Sequence, residues 1–236
     1  MLIRNFLSQD EVDLIRDEME MQRELGSMRY ESDHGKTRHS KSNYFKAFHK
    51  SITRRVSDVF GKPLVPTYEY TRIYYAGGEL KKHRDRLSCQ NSMTVCIHNT
   101  EDPWPFYVDY GDVEGVSCYT MMPGDAVFYL GPVFPHWREE LKSGEVWQQF
   151  YHWVSLNGPY HANIDDDMTK QYQAAKRSGT VSKEELEKMR RQTNPDKLRD
   201  RTISFGGEIK VMAEVNPGES KLQLTHHHNL KGVKSS

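Results

Sequence analysis

The stretch YYAGGELKKHRD, residues 74–85, decides the fold prediction for this chain. It begins with strand-forming aromatic residues, passes through a Gly-Gly turn and ends in a His-Arg-Asp triplet. Side chains two apart on an extended segment project to the same side. His83 and Asp85 are therefore predicted to direct an imidazole and a carboxylate at one common point.

A third candidate ligand, His136, follows much later in the chain. It comes after a Pro-Gly-Asp turn and the apolar, strand-like run GDAVFYL at residues 124–130. Two imidazoles and one carboxylate on one face of an octahedron leave three positions open, an arrangement typical of non-haem Fe(II) oxygenases. The alternative is that the His-x-Asp pair is a chance pair and His136 an ordinary histidine; the surrounding turn and strand signals favour the metal site.

Hydrophobic patterning divides the chain into helices followed by strands. A capping box at Ser8 predicts a helix over residues 8–24, and a second amphipathic helix is predicted over 44–60, with a polar loop at 26–42 between them. Short strands are predicted at 68–75, 92–98, 106–110, 119–122, 126–130 and 147–154. Helices followed by many short strands predict an α+β fold in which helices pack on a sandwich or barrel.

Composition limits the classes of partner. Lys plus Arg equals Asp plus Glu at 33 each, so the whole chain has no net field that would attract nucleic acid or a membrane surface. Three cysteines without metal-finger spacing indicate a reducing compartment. No apolar run approaches the length of a membrane span, and the first residues lack a signal-peptide core. The expectation is a cytoplasmic protein with no membrane partner.

The composition changes after residues 157–159, where Asn-Gly-Pro closes the aromatic-rich part of the chain. We therefore predict a domain over residues 1–160 and a C-terminal extension over 161–236. The extension is expected to contain a short helix from residue 182 to 191, a hairpin around Gly206-Gly207 and a flexible tail.

The sequence resembles the prolyl-4-hydroxylase-like branch of the Fe(II)/2-oxoglutarate oxygenases over about residues 1–158. Tyr74, Gly77, His83 and Asp85 match the pattern Tyr-x-x-Gly-(five residues)-His-x-Asp of that family, and the run PGDAVFY leads to His136 as the family's run leads to its distal histidine. The resemblance implies a double-stranded β-helix core (jelly-roll, cupin-like) buttressed by the N-terminal helices. It also implies that the two histidines and Asp85 form the catalytic Fe(II) site.

The same resemblance implies an activity. It predicts a dioxygenase that uses 2-oxoglutarate and O₂, with ascorbate as an optional addition, to hydroxylate a C–H bond, first of all in a prolyl residue of a peptide or protein. Hydroxylation of a nucleobase or a free amino acid stays open, so a nucleic-acid substrate does too. A third possibility is a β-helix module that binds a metal or ligand without turnover.

The sequence departs from the family at one position that matters for 2-oxoglutarate. Relatives carry an Arg or Lys nine to eleven residues after the distal histidine, where this chain has Glu145, Val146 and Trp147. A buried dicarboxylate needs a charge-assisted donor. Arg138 is the first candidate, because it lies two residues after His136 and would share its face on an extended segment.

Further cosubstrate contacts are predicted from neighbouring strands. Arg72 is the second candidate cation, Gln149 would add a neutral hydrogen bond, and Tyr74 matches a family tyrosine that contacts the cosubstrate. The alternative for Arg138 is a surface ion pair with Glu139 or Glu140. For Tyr74 and Gln149 the alternative is core packing or polarity at a strand edge.

Overall fold

The computed structural model describes residues 1–31, 36–100, 103–112, 114–164, 167–179 and 181–193. Helix α1 (Gln9–Glu24) begins at Ser8, where both hydrogen bonds of the predicted capping box are present. Helix α2 (Asn43–Phe60) begins at the N-cap Ser42 and ends at Gly61, whose φ of 64° suits a glycine C-cap. Both helices were predicted with bounds within one residue of these.

The described part of the chain contains eleven strands. They are β1 (Leu2–Ile3), β2 (Arg29–Glu31), β3 (Thr37–Ser40), β4 (Leu64–Tyr75), β5 (Leu80–His83), β6 (Asn91–Asn99), β7 (Phe106–Asp109), β8 (Val116–Tyr119), β9 (Ala126–Tyr129), β10 (His136–Arg138) and β11 (Glu145–Ser155). Short 3-10 turns lie at Leu87–Cys89 and His161–Asn163.

Two antiparallel sheets share these strands. One has the order β1-β9-β6-β11-β4-β3-β2 and the other the order β5-β10-β7-β8. From β4 to β11 the chain crosses repeatedly between the sheets, and the sequence-distant strands β4 and β11 pair along their whole length. This is the predicted double-stranded β-helix, with α1 and α2 on the outer face of the larger sheet.

The predicted loop at residues 26–42 is wrong in part, since it contains the edge strands β2 and β3. Strands β5 and β10 were also missed, although they carry two of the candidate ligands. All four are three or four residues long and rich in charged or polar side chains. Such sequences form strands only because a neighbouring strand supplies hydrogen bonds, a stabilisation that the hydrophobic pattern does not reveal.

The apolar core lies in two layers. The larger cluster fills the space between the helices and the outer face of the big sheet, and includes Ile15, Phe45, Val95 and Trp153. The interior of the barrel holds two smaller clusters. One surrounds Phe106 and includes Val108, Val127 and Tyr129. The other consists of Tyr74, Trp104, Leu141, Val146 and Phe150. Polar and charged side chains are also buried in this interior, as is typical of a functional site.

The described part of the C-terminal extension is helical. Helix α4 (Lys183–Thr193) begins at Ser182 with reciprocal hydrogen bonds to Glu185, close to the predicted helix at 182–191. Helix α3 (Asp167–Ser178) was not predicted. The predicted hairpin around Gly206-Gly207 and the tail lie outside the described residues. Among helices in the described ranges, none is both long and apolar enough to cross a bilayer.

Candidate metal centre and adjoining pocket

The three predicted ligands converge at one end of the barrel. In the pairing of β10 with β5, His136 lies directly opposite His83. Asp85 Oδ1 is 3.4 Å from His83 Nε2 and 3.5 Å from His136 Nε2. The ligand atoms of all three residues lie within 4.8 Å of one another, close enough to share one ion.

Hydrogen bonds fix both imidazoles in the form that binds a metal. His83 Nδ1 is 2.7 Å from the carbonyl oxygen of Lys81, and His136 Nδ1 is 2.9 Å from that of Phe134. A carbonyl oxygen only accepts, so each Nδ1 carries the proton. Each Nε2 therefore keeps its lone pair for a metal, as is usual when the other ring nitrogen of a metal-ligating histidine donates to a carbonyl.

The electrostatics of the cluster keep the carboxylate ionised. Burial alone would raise the pKa of Asp85, but the charge and hydrogen bonds of His136 and His83 hold that pKa well below its usual range. Burial also acts to lower the pKa of His83, and the hydrogen bond to Asp85 outweighs it and raises that pKa. His136 is buried, whereas the side chain of His83 is 37% exposed, so the centre is reachable from solvent. An anionic oxygen beside two imidazole lone pairs fits a divalent transition metal.

Arg138 points into the barrel, where the Phe106 ring is in contact with both its guanidinium and the His136 ring. Its guanidinium donates to the Trp104 carbonyl oxygen at 2.6 Å and to Gln148 Oε1 at 3.2 Å, and it lies over the rings of Trp104 and Phe106. The residue is 1% exposed, and within the described ranges no carboxylate is in ion-pair distance of it. Its predicted alternative, a surface pair with Glu139 or Glu140, is therefore wrong.

A buried cation without a counter-ion is costly. Burial lowers the pKa of Arg138 to about 10, even though the nearby Tyr74, Cys96 and Tyr129 oppose the change. Its Nε has no hydrogen-bond partner in the described part of the molecule. Buried charges are normally paired, so this guanidinium is a candidate for binding an anionic group.

Tyr74 and Arg72 on β4 face the same interior. The Tyr74 hydroxyl is buried without a hydrogen-bond partner among the described residues, and its ring packs edge-on against Trp104 at 4.8 Å. The Arg72 guanidinium lies 5.6 Å from the Tyr74 ring centroid and donates to Glu31 at 2.6 Å, while its Nε and Nη1 are unpartnered. Two cations and a hydroxyl thus surround one buried region.

The predicted Gln149 lies on the other face of β11. It is paired in register with Thr71 and Val95, and Val95 belongs to the core cluster beneath the helices. Its neighbour Gln148 is the glutamine inside the barrel, where it accepts hydrogen bonds from Arg138 and from Thr94. The sequence does not distinguish these two adjacent glutamines, because they differ only in the face of β11 on which each side chain lies.

Of the three positions nine to eleven residues after His136, Glu145 and Trp147 face away from the barrel interior, whereas Val146 faces it with an apolar side chain. Glu145 accepts from Arg23 of α1 at 3.2 Å and from Trp147 Nε1 at 3.0 Å. Trp147 belongs to the helix-side core. The positive charge of this buried region therefore comes from Arg138 on β10 and Arg72 on β4. Trp104, whose ring lies between the Arg138 guanidinium and the Tyr74 ring, belongs to the same region, although no sequence motif predicted it.

Comparison with solved structures identifies the fold. A 2OG-Fe(II) oxygenase family oxidoreductase from Burkholderia pseudomallei superposes with a TM-score of 0.54 and 12% identity, covering 66% of this chain and 84% of that one. A prolyl-4-hydroxylase from Pseudomonas putida gives 0.52 and 12%, covering 66% and 92%. HygX from Streptomyces hygroscopicus, with nickel, 2-oxoglutarate and hygromycin B bound, gives 0.51 and 15%, covering 66% and 83%.

Comparisons by sequence found no relative, in contrast to the comparison of structures. No family model matches the chain, and no curated protein matches it. At 12–15% identity the three structures establish shared architecture only. The chain accordingly has the double-stranded β-helix fold found in structures of 2-oxoglutarate- and iron-dependent oxygenases.

Proposed function

We propose that this protein is an Fe(II)- and 2-oxoglutarate-dependent dioxygenase that hydroxylates a C–H bond. The observation that carries the proposal is the convergence of His83, Asp85 and His136, with both Nε2 lone pairs and one carboxylate oxygen directed at a common point. Three protein ligands on one face leave positions free for a bidentate keto acid and O₂.

The adjoining pocket supports 2-oxoglutarate as the cosubstrate. In this proposal Arg138 binds the far carboxylate, the unpartnered Tyr74 hydroxyl donates to it, and Gln148 orients the guanidinium from behind. Arg72 adds a second cation once its bond with Glu31 is weakened by the incoming anion. The buried arginine without a counter-ion also counts against a module that binds only metal, because such a module needs no cation inside the barrel.

Each protein group then has a defined task. Bound Fe(II), together with 2-oxoglutarate and O₂, supplies the oxidising power, and the cosubstrate leaves as succinate and CO₂. The two histidines and Asp85 hold the ion with one side open, and Arg138 orients the keto acid. The aromatic walls formed by Tyr70, Tyr74 and Phe150 exclude water from the barrel.

The substrate class that we propose is a prolyl residue in a peptide or protein. The support is the Tyr-x-x-Gly-(five residues)-His-x-Asp match at residues 74–85. Near Asp85 the rings of Tyr68 and Tyr70 are stacked, with centroids 6.1 Å apart and planes 8° apart. Flat aromatic faces of this kind suit packing against a pyrrolidine ring.

The test of the reaction class is spectroscopic and anaerobic. Fe(II) and 2-oxoglutarate added together should produce a weak visible charge-transfer band, which neither gives alone. The His136→Ala variant should lose the band, whereas His98→Ala, a half-buried histidine against Trp147, should keep it. Absence of the band in the wild-type protein at saturating ligand would overturn the proposal.

A second experiment tests the substrate. Succinate release is measured under air with a proline-containing peptide library, with nucleosides and single-stranded oligonucleotides, and with free amino acids as parallel arms. Stimulation by peptides alone, with hydroxyproline in the product, is expected. Stimulation confined to another arm would assign that substrate class and remove the prolyl proposal while leaving the reaction class in place.

A further inference from the structure

The two oxygens of the Asp85 carboxylate have different surroundings. Oδ1 faces the two histidine Nε2 atoms, whereas Oδ2 lies 3.3 Å from the hydroxyl oxygen of Ser92. We propose that Ser92, oriented by His152 and assisted by the bare Gly131 backbone, is a positioning residue that holds Asp85 as a one-oxygen ligand. The inference rests on the metal site of the proposed function.

Counting protons around Ser92 fixes the direction of each hydrogen bond. Its hydroxyl lies 3.0 Å from the carbonyl oxygen of Cys89 and 3.3 Å from Asp85 Oδ2, and both of these groups only accept. The hydroxyl has a single proton, and in the proposed arrangement these two oxygens share it. His152 Nδ1, at 2.9 Å, then donates to the Ser92 oxygen, so that His152 is the Nδ1–H tautomer.

The surroundings of His152 hold this arrangement rigidly. Ser92 and His152 are 0% and 2% exposed, and the His152 ring packs against Tyr68 with centroids 4.5 Å apart. The Ser92 hydroxyl therefore donates in one direction only, toward the carboxylate and the Cys89 carbonyl.

The backbone of Gly131 also lies against the Asp85 carboxylate. Its carbonyl oxygen accepts from the Asp85 backbone N–H at 3.0 Å. A Cβ at this position would overlap Asp85 Oδ2 and lie 2.8 Å from the Cys89 carbonyl oxygen. The carboxylate thus occupies space that only a glycine leaves free, and any side chain here would displace Oδ2.

A second group of possible metal ligands overlaps this arrangement, but hydrogen bonds account for it without a second metal. Asp85, Cys89 and His152 lie within metal-binding distance of one another. However, the Ser92 hydroxyl contacts Asp85 Oδ2, His152 Nδ1 and the backbone carbonyl oxygen of Cys89. The Cys89 Sγ is instead in contact with the Tyr68 hydroxyl at 3.0 Å. Hydrogen bonds therefore account for the position of each of these groups.

The consequence concerns the open positions of the metal. If Oδ2 were released, the carboxylate could chelate through both oxygens and take a position that the keto acid or O₂ requires. Hydrogen bonds behind a ligand commonly change metal affinity by about 10- to 100-fold. Ser92 is therefore expected to influence both how tightly the metal binds and how many positions stay open.

The experiment uses the full chain and Co(II), under anaerobic conditions. Ser92→Ala should weaken Co(II) binding about 10- to 100-fold and change the intensity of the Co(II) visible spectrum, which depends on coordination number. Ser92→Thr, which keeps the hydroxyl, should restore both. His152→Asn keeps a donor where Nδ1–H was and should stay near wild type, whereas His152→Leu should resemble Ser92→Ala.

The glycine arm has a matched control. Gly131→Ala should reduce Co(II) affinity by about 100-fold, the upper end of the range for such changes, because the added methyl displaces the carboxylate. In Gly158→Ala the added Cβ would lie 2.8 Å from the Cβ of Ser155, a close contact that does not involve a candidate metal ligand. This control should leave the Co(II) affinity unchanged.

Two outcomes separate this inference from the proposed function. Wild-type affinity and an unaltered spectrum in Ser92→Ala and His152→Leu would overturn the positioning role while the metal site stands. Failure of the wild-type protein to bind Co(II), with His83→Ala indistinguishable from it, would remove the metal site and this inference together.

Discussion

Replacement of Arg138 by Met tests whether the buried cation serves the pocket or the fold. Methionine keeps most of the side-chain length and removes the charge. If 2-oxoglutarate places its far carboxylate on this guanidinium, the variant leaves a buried anion without its partner. Loss of one member of such a pair costs about 2–5 kcal/mol, so the dissociation constant should rise by at least about 30-fold.

The effect on the stability of the ligand-free protein should be small, because two contributions oppose each other. The fall of the Arg138 pKa from 12.5 to about 10 corresponds to a desolvation cost of about 3 kcal/mol in the ligand-free protein. Two charge-assisted hydrogen bonds, to Trp104 and Gln148, are lost in the variant at about 1.5–3 kcal/mol each. The relief of the desolvation cost offsets much of this loss, so the free energy of unfolding should fall by no more than about 3 kcal/mol, at about 2–4 °C in Tm for each kcal/mol.

The assay combines anaerobic titration of 2-oxoglutarate into the metal-loaded protein with thermal unfolding of the ligand-free protein. Arg38→Met is the control, since Arg38 is exposed on β3 and should change neither quantity. A variant that loses several kcal/mol of stability yet binds 2-oxoglutarate normally would refute the reasoning, because Arg138 would then be a structural residue.

Two further predictions follow from the charges around the site. The pKa of His83 is raised by Asp85, so without metal the unfolding free energy should fall as pH rises from about 6.5 through the folded pKa. Metal affinity, titrated over the same interval, should instead rise as the imidazole loses its proton. A stability and a metal affinity that change in the same direction with pH would contradict this prediction. Glu31→Gln removes the carboxylate bonded to Arg72 and should tighten 2-oxoglutarate binding about two- to fivefold in the same titration. Glu79→Gln, an exposed control, should have no effect, and weaker binding in Glu31→Gln would remove Arg72 from the pocket.

Local sequence rules account for much of the site. The alternation of side chains along a strand predicted that His83 and Asp85 act together, and the same rule placed Arg138 beside His136 inside the barrel. The capping box at Ser8 likewise determined where α1 begins. These features depend on residues within a few positions of one another, where backbone geometry alone relates the side chains.

Other features needed the folded chain. Adjacent glutamines at 148 and 149 differ only in the face of β11 that each occupies, and pairing with β4 and β6 decides that face. The short polar strands β5 and β10 exist because each pairs with the other, which brings His136 opposite His83.

The sequence by itself predicted the fold class, the three candidate metal ligands and a cation close to His136 in the chain. Only the tertiary structure decided that this cation has no counter-ion, and that Ser92, His152 and Gly131 surround one oxygen of Asp85. The reason is physical. Ligand identity follows from side-chain chemistry at fixed local spacing, whereas desolvation and close backbone approach depend on which distant strands come to lie side by side.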